Sequence, residues 1–333
     1  MSGPGVFGGL ARSAFLADVD DRDRDAGNIA RAVAGGLGVG LVSAIACWIV
    51  ILAPYALLAG RGSEGLEGIG RIAAGMADLR IGDPTTTFLR LLVATATDGL
   101  FLIAFVAVAA AVARRGLHRY VTVAPRIRWR LLLLGLALAA LALGPLVVTD
   151  RLATGNVERL PLMAISPGVP GRVFYALSAL LLIPAAAAEE LFFRGWLLRQ
   201  TAAFTRRPAV LIAFGALVFS ALHFDFTPDA FLTRAIMGAG FAYMTLRLGG
   251  IEFSTGVHAA NNMLIVLFVQ PLTAQVGADT TGVTAGALVE DMALVAGYLA
   301  MTEAVVRIAA LRRWAGVRPE EISPPGLGEP HFS

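Results

Sequence analysis

Residues 171–198 read GRVFYALSALLLIPAAAAEELFFRGWLL. From Val173 to Ala188 there is no charge, and the apolar character resumes beyond two adjacent acids, Glu189 and Glu190. About 20 mostly apolar residues cross the hydrocarbon core of a bilayer, so this stretch predicts a membrane-spanning helix. A charge at the centre of such a helix costs roughly 2.5–3.5 kcal/mol on insertion scales. Two acids and Arg194 in one span are an expense that spanning alone does not require. Glu190 and Arg194 are four residues apart, so on a helix they share a face and can pair. Glu189 points about 100° away from Glu190, which leaves it free for another task. Pro184 lacks a backbone donor, frees the carbonyl of Leu180 and predicts a kink just ahead of the acids. The four alanines that follow let a neighbouring helix come close.

The rest of the chain has the same character. Of its 333 residues 57% are hydrophobic and only 15% charged, with a mean hydropathy of +0.72, against about 25% charged in soluble domains. Further apolar runs at 32–60, 91–113, 131–149, 209–224, 231–248, 251–272 and 287–310 predict an all-α polytopic membrane bundle of about eight transmembrane helices. Residues 1–31 read as a soluble N-terminal tail. The cluster DVDDRDRD at 18–25 precedes any apolar run, unlike the basic start and hydrophobic core of a secretory signal. Residues 32–165 hold the first three spans, and the loop at 61–87 has room for a short amphipathic helix. Residues 166–312 form the helical core with the polar residues, and the proline-bearing 313–333 are expected to be disordered.

Charge and cysteine content exclude several classes. The net charge of +3 is spread along the loops, so nothing argues for nucleic acid. The single cysteine, Cys47, rules out an intrachain disulfide framework and a cysteine metal cluster. Every basic Lys/Arg residue is an arginine, which suggests a GC-rich genome and, with the spans, a bacterial plasma membrane. Eight spans put both termini on one side. With the termini inside, the inner segments hold nineteen arginines and the outer ones eight when those at or within span ends are counted with the nearer side, so the positive-inside rule predicts cytoplasmic termini.

Three spans carry polar groups that hydrocarbon does not tolerate without reason: Glu189, Glu190 and Arg194 on the fourth, His223 on the fifth, His258 and Asn262 on the seventh. Glu189 lies 17 residues before Arg206, near the turn between the fourth and fifth spans, and His223 lies 17 after it. Equal distance from a turn means similar depth in an antiparallel pair. His258 and Asn262 are one turn apart and share a face. Singly each has a plain structural explanation, such as an interhelical hydrogen bond. Together they suit hydrolysis. A carboxylate in a dry pocket can take a proton from water, a histidine can hold that water or a metal, and a second histidine with an asparagine can donate to a developing oxyanion.

The motifs EELFFR at 189–194, FSALH at 219–223 and HAANN at 258–262, in that order on successive spans, resemble the CAAX-protease and bacteriocin-processing (CPBP or Abi) family of intramembrane proteases. Its eukaryotic member is the Ras-converting CAAX prenyl endopeptidase. The resemblance covers about residues 170–270. It implies that Glu189 activates water together with His223, that His258 and Asn262 stabilise the oxyanion, that Glu190 and Arg194 support the site, and that Phe219 packs beside His223. The family has been described both as metalloproteases and as metal-independent glutamate proteases. Glu189, His223 and His258 could ligate Zn²⁺ with an open position, or act without metal. The implied substrates are membrane-associated proteins or peptides, met within the lipid bilayer.

Two other classes stay open from the residues alone. Intramembrane acids also make proton relays, so Asp98, Glu290, Asp291 and Glu303 keep a proton-coupled transporter in view. A non-catalytic membrane scaffold or immunity protein would keep the same bundle.

Overall fold

The computed structural model describes residues 6–59, 84–153, 160–164, 168–269 and 285–322. Among these residues, eight long helices stand where the apolar runs predict them. They are α1 (Ala26–Ala59), α2 (Pro84–Val112), α3 (Trp129–Ala153), α4 (Val169–Ala202), α5 (Pro208–Ala221), α6 (Pro228–Leu248), α7 (Glu252–Leu264, continued by a π-helical turn Ile265–Val269) and α8 (Ala285–Arg307). A short α9 (Ala309–Ala315) follows. No strand forms among the described residues, where a lone bridge joins Thr122 to Gly250.

Among the described residues, four segments are long and apolar enough to cross a membrane by length and composition: Ala26–Ile51, Leu91–Val112, Trp129–Thr149 and Val169–Ala202. Residues such as Val42, Val50 and Leu141 are widely exposed on their outer faces, as lipid permits. Helices α6 and α7 are more polar because protein surrounds them. Every residue from Glu252 to Ala260 is buried, as are nearly all from Met237 to Leu248. Helix α7 lies against α3 and α4, α6 against α5 and α8, and α1 against α2.

Helix α4 is not regular. Where Pro184 withholds its donor from Leu180, the chain tightens into a 3₁₀ turn at Ala179–Leu181, and directly after the two acids it widens into a π-helix at Leu191–Leu197. The expected kink is therefore realised as two changes of helical pitch that bracket the acids.

One end of the bundle gathers the arginines, and there two expectations from the sequence are corrected. Residues 10–25 are not a solvated tail. Leu10, Phe15 and Leu16 are fully buried, and the Ser13 hydroxyl donates to the Leu246 carbonyl. The acidic cluster docks on Arg115, in the loop after α2, and Arg199, in the last turn of α4. Arg115 pairs with Asp23 at 2.6 Å and Asp20 at 3.1 Å, and Arg199 pairs with Asp18 and donates to the Phe15 carbonyl at 2.6 Å. Burial is the largest single influence on Arg115 and opposes its charge, but the hydrogen bond and charge of Asp23, with Tyr120 and Asp20, together outweigh it and hold the pKa well above the ordinary arginine value. An acidic run that looks soluble in isolation is folded because opposite charge converges on it.

The second correction concerns residues 313–322, expected within a disordered tail. They continue α9 and form a turn at Pro319–Glu321 in which Glu321 is 2% exposed. Arg128 is the reason. It holds Glu252 through two hydrogen bonds of 2.9 and 2.7 Å, Glu321 at 3.1 Å and the Leu248 carbonyl at 2.9 Å, all buried. Gly249, with φ of +69°, ends α6 beside this cluster. Such a left-handed turn is open to glycine at no steric cost. The segment Ala14–Leu16 touches Pro319–Glu321, so the two segments meet at one end of the bundle. The short helix foreseen in the 61–87 loop lies mostly outside the described residues, as do residues 323–333 and the boundary drawn at 165/166.

Removing one partner of a buried ion pair costs roughly 3–5 kcal/mol, and Arg128 serves two carboxylates. Arg128→Ala is expected to lower the thermal unfolding temperature of the purified protein strongly, and Glu321→Gln to lower it less. The reverse order would show that the cluster is not built around the arginine.

Candidate active site

Arg194 is the hub, 2% exposed in the middle of α4. Its guanidinium donates to Glu190 Oε1 at 2.9 Å and to the Gly238 carbonyl of α6 at 3.1 Å. It lies 4.4 Å from the Phe219 ring centroid and 5.1 Å from that of Phe241, where a cation gains from the ring faces once desolvated. Gly238 is needed for this approach. A Cβ there would meet the Phe219 ring at 3.1 Å, the Ala216 Cα at 3.2 Å and the Arg194 guanidinium at 3.3 Å.

Glu190, fully buried, is shared. The Nδ1 atom of His258 faces the same Oε1 at 3.0 Å, and the His258 ring stacks on Phe241 with centroids 4.8 Å apart. A carboxylate only accepts, so the proton of this bond sits on Nδ1. The opposite nitrogen, Nε2, lies 3.7 Å from Glu189 Oε2, too far for a direct hydrogen bond. The side chain of Glu189 is 27% exposed, yet its Oε2 is buried and has no hydrogen-bond partner. An orphaned carboxylate oxygen in a native fold calls for a water or a ligand.

His223 is not on the helix that was expected to carry it. Helix α5 ends at Ala221, and His223 sits exposed in the turn beyond. Its Nδ1 donates to the Phe219 carbonyl at 2.7 Å, which leaves Nε2 as an acceptor. Phe219 touches both imidazoles, His223 at 4.7 Å and His258 at 5.8 Å. Glu189 and His223 are close enough to interact electrostatically. Asn262 lies half-buried one turn beyond His258 on α7, and no side-chain hydrogen bond to it occurs among the described residues. The structure thus joins Glu189, Glu190, Arg194, Phe219, His223 and His258 in one neighbourhood, with Asn262 at its edge.

The Glu189, His223 and His258 side chains are not assembled as a ligand set. Among the described residues no group of three or more His, Cys, Asp or Glu side chains is placed to hold a metal ion. One His258 nitrogen is engaged by Glu190, and both imidazoles pack against Phe219.

Asp98, left open by the sequence, comes to the border of the site. Gly99 faces Ala188 at the α2–α4 contact, and Asp98 interacts electrostatically with Glu189. Other membrane acids are occupied elsewhere. Glu303 accepts from Tyr243 and Arg247, both at 2.7 Å, and Asp291 accepts from Thr233. Such pairing weakens a proton relay through α8. Sequence reasoning missed Phe241, which reads as one more apolar residue of α6, and the Arg128–Glu252 anchor six residues ahead of His258. The acid two residues after Gly250 was the one signal for the latter.

Comparison with known proteins bears out the resemblance carried by the three motifs. Residues 171–264 match the family model described as type II CAAX prenyl endopeptidase Rce1-like. Every site residue named above, except Asp98, falls within this stretch. An uncharacterized protein of Bacillus subtilis (strain 168), YyaK, is 38% identical over 100 residues, which cover 28% of this chain and 33% of the relative. The chain thus spans about a third of the length of that curated relative. No solved structure matches.

The two glutamates should separate experimentally. Arg194→Ala leaves Glu190 as an uncompensated buried charge, a cost of roughly 3–5 kcal/mol, and is expected to reduce both folded yield and melting temperature. Glu189→Gln, at a partly open carboxylate without a partner, should melt like wild type. Equal behaviour of the two variants in a thermal melt would contradict the division into a supporting and a reacting glutamate.

Proposed function

We propose that this chain is an intramembrane endopeptidase that hydrolyses peptide bonds of membrane-associated proteins or peptides. The observation that carries the reading is the partly exposed Glu189 carboxylate, its Oε2 without a hydrogen bond and facing His258, in front of the buried Glu190–Arg194–His258 unit. Glu189 takes a proton from a water held by Nε2 of His223. The resulting hydroxide attacks the carbonyl carbon of the substrate, and Glu189 returns the proton to the leaving amine nitrogen. His258 stands between two carboxylates. With Nδ1 held by Glu190, it turns Nε2 toward the oxyanion and stabilises it alongside the Asn262 carboxamide. Glu190 and Arg194 fix His258 and do not touch the substrate. No step runs through a metal.

Residues that act as a unit lose activity non-additively. Against a library of membrane-anchored peptides, Glu189→Gln and His223→Ala are each expected to abolish cleavage, and the double variant to be no worse. Asn262→Ala should retain more activity, with a loss of about 10²–10³ for one oxyanion donor. Active wild-type protein should keep its rate after chelation. Stoichiometric zinc that disappears in His223→Ala would replace this scheme with a metal-dependent one. A folded wild type that cleaves nothing spared by Glu189→Gln would replace it with a scaffold.

The same reading places the chain in a bacterial plasma membrane with its arginine-rich end in the cytoplasm, on the nineteen-to-eight division of arginines. Cysteines introduced at Arg119 and Arg207 should react with an impermeant reagent in inverted vesicles and stay protected in intact cells. Labelling in intact cells would reverse the orientation.

A further inference from the structure

The turn joining α5 to α6, residues 222–227, does something that the hydrolytic chemistry does not require. Phe224 is 75% exposed, Phe226 63% and Leu222 45%. The polar residues between them are tied down. Asp225 accepts from the Thr227 hydroxyl at 2.8 Å and pairs with Arg234 of α6 at 3.0 Å. The turn is also braced from below, since the Ser220 hydroxyl donates to the Phe231 carbonyl at 2.7 Å and Phe226 stacks on Phe231. Phe224 has φ of +54°, the left-handed region that a bulky residue adopts only when its surroundings enforce it. A braced, strained turn is thus used to hold two aromatic rings outward.

Lipid explains this where water does not. Helix α5 presents Val210, Phe214 and Leu217 outward at intervals of four and three residues, one exposed apolar stripe, and the stripe runs into the turn. The helix has 14 residues, about 21 Å at 1.5 Å per residue. The hydrocarbon core is about 30 Å thick. A chain that starts at Arg206 and Arg207 on the arginine-rich surface has therefore not left the far side of the membrane when α5 ends. At this boundary Phe and Leu side chains bury themselves among headgroups and acyl chains.

We propose that the turn 222–227 is seated in lipid at the face away from the arginine-rich end, with Phe224 and Phe226 against the acyl chains. His223, in the same turn, then stands at the lipid boundary of the site. This deepens the endopeptidase reading by having a substrate reach His223 from the bilayer, but the lipid seat itself stands or falls without that reading.

The test uses spin labels and needs no substrate. In a Cys47→Ser background, Phe224→Cys and Phe226→Cys are labelled with a nitroxide, and the protein is reconstituted in phosphatidylcholine–phosphatidylglycerol nanodiscs. Collision with molecular oxygen, which concentrates in lipid, is compared with collision with a water-soluble nickel chelate. Phe214→Cys supplies the lipid reference and Arg207→Cys the aqueous one. Both turn positions should match Phe214, with an oxygen-to-nickel ratio several-fold above that at Arg207. Positions that match Arg207 overturn the proposal, and so do positions that collide with neither probe, since they would be covered by protein. If one labelled variant fails to fold, the other position decides alone. A chain that cleaves nothing leaves this readout intact, so the two readings fail separately.

Discussion

A guanidinium buried in a low-dielectric interior must be paired and hydrogen-bonded, because the cost of leaving it unpaired exceeds most other single terms in a fold. Arg194 meets that demand with one carboxylate, one backbone carbonyl and three aromatic rings, those of Phe193, Phe219 and Phe241. Much of the local architecture follows. Glu190 must lie one turn before it, Gly238 must lack a side chain so that α6 can offer its carbonyl, and Phe219 and Phe241 must turn their faces inward. The π-helical stretch at Leu191–Leu197 lies within this segment, and wide turns of this kind recur at functional sites.

The same pair sets up the chemistry. Because Glu190 is held by Arg194, it can hold His258 as well, and His258 then presents its other nitrogen toward Glu189. Two adjacent glutamates, identical in the sequence, thereby acquire different surroundings. One is enclosed, with Oε1 shared by Arg194 and His258, and the other is partly open and has no hydrogen bond from either; each keeps one buried oxygen without a partner. At the arginine-rich end the Arg128–Glu252–Glu321 cluster pins the start of α7 six residues ahead of His258. The axial position of the imidazole thus depends on residues from the far ends of the chain.

The structure also bears on the reach of sequence motifs. The three motifs were legible because charged and polar groups stand out against apolar runs, and the match over residues 171–264 agrees with them. The placement of His223 was not legible. Residues 209–224 read as one continuous apolar run, and only the folded chain ends α5 at Ala221 and turns His223 outward. The docked segments at 10–25 and 313–322 were misread for a related reason. Their charges were judged against water, whereas the fold supplies Arg115, Arg199 and Arg128 as partners.

The sequence by itself determined the helices, their number and the residue types of the site. These follow from local quantities: the length of apolar runs against bilayer thickness, the 3.6-residue period, and the expense of charge in hydrocarbon. Tertiary structure alone decided which carboxylate is enclosed and held by Arg194, where His258 sends its two nitrogens, that Asp98 comes to border Glu189, and that both terminal segments fold back onto the bundle. Each of these depends on contacts between residues far apart in the chain. The energy of a buried charge is set by whatever neighbour the packing brings within about 4 Å, and no local pattern encodes that neighbour.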